Sequence, residues 1–151
     1  MDNYIAGIRS AWLGECLGFA AFTARAEAEQ EEGLADKWRI LAQLEEVTGQ
    51  HMASVLKAHG ETVDNEPNID EESEAFQTYL SLPHGEVVSY MRDRVLGALE
   101  RFEHLLAIAP TSDLEHLHFL IDHELALLTF VDRESSGRGD SLSDARKLLS
   151  A

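Results

Sequence analysis

Tyr4–Ala26 reads YIAGIRSAWLGECLGFAAFTARA, and its spacing decides the architecture. Tyr4, Ile8, Trp12, Phe19 and Phe22 recur at helical intervals. At about 100° per residue they fall within roughly 80° of one another. The stretch therefore predicts an amphipathic helix with an aromatic inner face. Glu15 lies near the middle of that face. A carboxylate there loses its hydration and needs a compensating partner.

Working outward, the first helix is expected over Asn3–Glu31, with Gly33 as the residue that ends it. A second follows over Leu34–His59, with Ile40, Leu41, Leu44, Val47, Thr48, His51, Met52 and Val55 inward and Gly60 as its stop. Glu61–Glu74 is acidic, holds Pro67 and lacks Lys and Arg, so it reads as a loop. Ala75–Leu82 is a short helix closed by Pro83. A third long helix spans Gly85–Ile108, with Val88, Met91, Val95, Ala98, Leu99, Phe102 and Leu106 on its face. Ser112 with Glu115 reads as a capping box opening a fourth over Asp113–Glu134. Its stripe is Leu117, Leu120, Ile121, Leu125, Leu128 and Val131, with Glu124 near the centre. Ser141 with Asp144 caps a short last helix.

Four long helices with no strand pattern make the chain all-α. The first and last pairs are joined tightly, whereas 23 residues, Glu61–Pro83, separate the second helix from the third. Short, long, short is the connectivity of a bundle with one crossover rather than an up-down-up-down one.

The length, 151 residues, suits one domain, Met1–Ala151, that needs no disulfide. The single cysteine, Cys16, reads as a packing residue and fits a cytoplasmic setting. Twelve basic residues against 28 acidic ones give a net charge of −16, which disfavours nucleic acid and anionic membrane as partners. Ala11–Ala24 is similar to a signal-peptide core, but Asp2 before it and Glu15 within it favour a mature helix. No phosphate-binding glycine loop, Ser-His-Asp order or Cys-x-x-Cys is present.

Glu15 and Thr48 are separated by 33 positions, as are Met91 and Glu124, so the two hairpins place them at similar depth. On these residues the chain resembles the ferritin-like superfamily, closest to its rubrerythrin-like branch, over about Asn3–Glu134. That family's site takes one Glu from each of two helices and Glu-x-x-His from each of two others. The resemblance implies a ferritin-like four-helix bundle with Glu15, His51 and Glu124 as metal ligands. Thr48, Met91 and Leu127 stand where the family has Glu, Glu and His. The surviving set suits a single Fe, Mn or Zn ion. The metal-free alternative is a buried hydrogen-bonded cluster that includes Thr48, in a bundle acting through dimerisation or partner binding. A third possibility recruits Glu45, at the edge of the inner face, as a replacement carboxylate in an intact oxidoreductase. Homodimerisation is expected by analogy with the fold. His104, His116 and His123 read as solvated surface residues. Glu115-x-x-His118 matches the ligand spacing but points off the stripe. Trp12 and Trp38 read as packing residues, with Trp12 close enough to Glu15 to line a pocket.

Overall fold

The computed structural model describes every residue, Met1–Ala151, and is all-helical. The helices are α1 (Asp2–Ala28), α2 (Glu32–Ala58), α3 (Glu74–Ser81), α4 (His84–Ile108), α5 (Leu114–Ser135) and α6 (Ser143–Ser150). A single 3-10 turn, Thr111–Asp113, precedes α5. The long helices lie within three residues of their expected bounds. No helix is long and apolar enough to cross a membrane.

The buried apolar side chains form two clusters. One holds Tyr4, Ile8 and Trp12 of α1, Met52 and Leu56 of α2, Phe102 of α4, and Leu117 and Leu120 of α5. The other holds Phe22 of α1, Trp38 and Leu41 of α2, Val88 and Met91 of α4, and Phe130 of α5. Chain direction follows from the order in which each helix visits them. The helices α1 and α5 run from the first cluster to the second; α2 and α4 run the opposite way. So α1 opposes α2, α4 opposes α5, and α2 is parallel to α4. Two parallel helices cannot be joined by a tight turn, and this is why the chain needs the long connection through 59–83. That connection includes α3, which packs on α1 through Tyr79 against Phe22, ring centroids 5.0 Å apart. Arg25 donates from the side of α1 to the carbonyls of Tyr79 and Leu82, fastening the C-terminal end of α3.

Several local signals yield to tertiary contacts. The first helix ends at Ala28, and Gly33 lies in the first turn of α2 rather than ending α1. Gly60 does follow α2 with φ +80°, a left-handed backbone that glycine adopts without strain. The Ser112–Glu115 capping box does not form. Asp113 instead turns inward, accepting from Tyr4 Oη at 2.7 Å, with His59 Nε2 also 2.7 Å from the same oxygen. The last helix starts at Ser143, and Asp144 accepts from Thr129 at 2.8 Å instead of sharing a cap with Ser141.

Candidate metal centre

Between the two apolar clusters lies a polar waist. On α1 the clusters are separated at Glu15, on α2 at Glu45 and Thr48, and on α5 at His123 and Glu124. All five are buried, and α4 contributes none of them. Glu15, His123 and Glu124 each offer a ligand atom, and these atoms lie within 4.8 Å of one another. This buried Glu-His-Glu cluster could hold a metal ion. His123 Nδ1 lies 3.5 Å from Glu15 Oε2, and its Nε2 lies 2.6 Å from Glu45 Oε2. Neither approach has hydrogen-bond alignment. Glu15 Oε2, Glu45 Oε2 and both ring nitrogens are thus buried without an aligned partner.

Of the three residues expected as ligands, Glu15 and Glu124 come together and His51 does not join them. Six residues beyond Glu45, at about 100° each, His51 points roughly 120° away around α2. It lies with Nδ1 2.8 Å from His116 Nδ1 and stacks on Phe119 at 4.1 Å. Thr48 is fully buried but donates to Leu44 O at 2.8 Å, so its hydroxyl serves its own helix. His123, expected in solvent, is 0% exposed and supplies the imidazole. Glu45 leans in from the edge of α2, as the recruited-carboxylate reading requires. Met91 and Leu127 are buried apolar residues. Glu115 and His118 are exposed, as expected.

Glu45 reaches the waist because position 18 has no side chain. A Cβ on Gly18 would lie 2.2 Å from Glu45 Oε1 and 2.8 Å from its carboxyl carbon. By contrast, a Cβ on Gly14 would have nothing within 4 Å. Gly18→Ala is therefore expected to cost about 1–3 kcal/mol through overpacking. Gly14→Ala should gain about 0.5–1 kcal/mol, since glycine is a poor helix residue. Urea denaturation of the two variants checks this; equal effects would show that Glu45 swings aside freely.

The electrostatics follow from burial and crowding. Burial pushes the Glu15 carboxyl well above its ordinary range, and the neighbouring Glu45 pushes it further. Burial also dominates at Glu124, raised to about 7. Burial would raise Glu45 too, but the charge of the adjacent His123, with the Glu15 carboxyl beside it, brings it below its usual value. Burial would lower His123, and the Glu45 charge outweighs it, holding the ring above the usual histidine value. Glu15, Glu124 and His123 all bind protons more tightly folded than unfolded. Their stabilisation is complete at low pH and lost as pH rises through the folded values. Moving Glu124 from 4.5 to about 7 corresponds to on the order of 3 kcal/mol. Glu45, and Glu134 held against burial below its ordinary value by hydrogen bonds from Lys37 and His84, act oppositely and lose stabilisation as pH falls below about 4.5. Metal-free protein should therefore be most stable near pH 5 and weaken toward pH 8. Thermal unfolding across that range is the check, and a flat profile would contradict the assignment.

Two cavities reach the waist. One, of about 220 Å³, opens between α1 and α4, where the helices touch far less than α1 touches α2. Glu15, Glu45 and Glu124 lie in it, with Arg94 and Arg101 also lining it. The other, of about 470 Å³, lies between α1, α2 and the acidic loop, with Trp12 and Phe19 in its wall. Phe19, expected inside, is 37% exposed because it faces this cavity rather than the core. Cys16 lines the same cavity, and burial raises its thiol above the ordinary value.

Comparison of the chain with protein-family models, curated proteins and solved structures gives no match.

Proposed function

We propose that the chain is a ferritin-like four-helix bundle that binds one divalent metal ion through Glu15, His123 and Glu124. The observation that carries this reading is the set of buried, unaligned polar atoms converging at the waist. Leaving such atoms unpaired is costly, and an ion would engage Glu15 Oε2 and one ring nitrogen of His123 together, leaving the other nitrogen to Glu45. The imidazole has the two-sided setting that metal-binding histidines use. With Nδ1 toward Glu15, Nε2–H faces the Glu45 carboxylate, which would fix the tautomer and ring orientation. The parallel run of α2 and α4 across a long connection supports the ferritin-like arrangement.

Oxygen and imidazole donors suit Fe, Mn or Zn. When bound, such an ion would supply Lewis-acid chemistry or, for Fe and Mn, redox chemistry. The chain's own part is to hold the ion, exclude bulk water and present the α1–α4 opening to a reactant.

The test is elemental analysis of protein purified without chelators and then reconstituted with zinc or iron. One ion per chain is expected, lost in Glu15→Ala and His123→Ala and retained in His51→Ala. Loss in His51→Ala instead would restore the ligand set first expected. Two ions per chain, one of them removed by Glu45→Ala, would favour the recruited-carboxylate oxidoreductase.

A second reading has its own support. The 2.6 Å approach of His123 to Glu45 suits a metal-free ion pair, with protonated Glu15 donating to Glu45. Background metal after reconstitution would establish that reading, with function then residing in dimerisation or partner binding.

A further inference from the structure

Charge is distributed unequally over the two cavities. The loop-side cavity is lined by Glu46 and Asp64, with Lys57 as its cation. The α1–α4 cleft has no acidic residue beyond the waist carboxylates, yet holds both Arg94 and Arg101. In a chain with 12 basic residues against 28 acidic ones, two arginines at one opening is a local concentration of positive charge beside the three buried carboxylates. Neither belongs to the salt-bridged arginines, which are Arg9, Arg25, Arg39 and Arg92. Arg94 is held by aromatic faces instead, its guanidinium carbon 6.0 Å from the Tyr79 ring centre and 5.8 Å from that of Tyr90. A guanidinium positioned between two tyrosines loses little freedom on binding.

We propose that the α1–α4 cleft binds a small organic monoanion, its acid group at the Arg94–Arg101 rim and its apolar portion against Met91, Val95, Phe102, Leu105 and Leu127. The charge of the site favours this class. Three carboxylates, one divalent ion and two guanidiniums leave a single positive charge, which one monoanion neutralises; in this step the inference rests on the metal-binding reading. The walls and size favour it as well. A cavity of about 220 Å³ exceeds the roughly 150 Å³ that accommodates benzene, so an aromatic or short aliphatic acid fits and a dinucleotide or large lipid does not. Bound there, the apolar portion lies beside Glu15 and Glu124, so the ligand's far end is the part presented to the ion.

The test is calorimetric titration of phenylacetate, and of neutral phenylacetamide, into zinc-loaded and metal-free protein. Phenylacetate is expected to bind saturably, one per chain, and at least tenfold tighter than the amide. Arg94→Gln/Arg101→Gln should reduce phenylacetate to the level of the amide while leaving amide binding unchanged. Zinc uptake without phenylacetate binding overturns this inference alone. Phenylacetate binding that requires zinc and ignores both arginines also overturns it, since the acid would then sit on the metal. Arginine-dependent binding in protein that takes up no zinc supports the anion site and removes the metal-binding reading. Equal affinity for acid and amide overturns the inference whatever the metal content.

Discussion

His123→Leu is expected to destabilise the metal-free protein by about 3–5 kcal/mol at neutral pH, because it strands an ionised carboxylate in the interior. His123 is 0% exposed and Glu45 is 6% exposed, so losing the ring leaves the carboxylate largely desolvated. Glu45 then either keeps its charge without a partner or takes up a proton, and both cost stability. His123→Leu/Glu45→Leu should recover most of the loss, since replacing a buried pair by apolar residues is often neutral. Chemical denaturation of both variants measures the coupling between the residues. A loss below about 1 kcal/mol in the single variant would mean that the pair carries little charge.

Trp38→Ala is expected to cost a similar amount, about 3–5 kcal/mol, for a different reason. Trp38 is 0% exposed and is the common neighbour of several rings. Phe22 lies 5.4 Å from it, Phe130 5.9 Å and His84 6.0 Å, with the Arg25 guanidinium 5.6 Å from its centre. Removing it opens a cavity where α1, α2, α4 and α5 meet, and the surrounding helices cannot all collapse into it. For a chain of this size the melting temperature should fall by roughly 10 °C or more. Trp38→Phe is the informative control. Trp38 Nε1 is buried with no hydrogen-bond partner, so phenylalanine orphans nothing and should cost much less. If the two variants melted together, the indole's packing would not be what matters.

The helices are legible because their inner faces repeat clearly and because loop lengths constrain chain direction. Glu15 and Glu124 stand out as carboxylates inside apolar stripes, and both are in the waist. His123 is harder to see. Apolar residues run almost all round α5, because it is packed by α2 and α4 and also by α6. Such a helix has no unique phase in its sequence. A stripe through Ile121, Leu125 and Leu128 looks as good as one through Leu120, Glu124, Leu127 and Val131. The structure adopts the second, leaving Leu125 46% exposed and bringing His123 inside. The ladder Leu120, His123, Leu127, Phe130 is the available signal. His51 fails in the opposite way: its helix forms as the spacing predicts, but Glu45, at the edge of the inner stripe, is the residue that faces the waist. The unformed caps at Ser112 and Ser141 share one cause. In each case a nearby aspartate, Asp113 or Asp144, is engaged by a residue distant in sequence.

The two cavities meet at Glu15 and Glu45, which belong to the walls of both. These side chains act as a partition with a doorway on each side. A cation drawn by the acidic loop and an anion drawn by the arginines would approach from opposite faces and need not pass one another. Neither occupant would have to leave for the other to enter. An obstruction lodged between α1 and α4 would still leave the waist open to exchange beneath the loop.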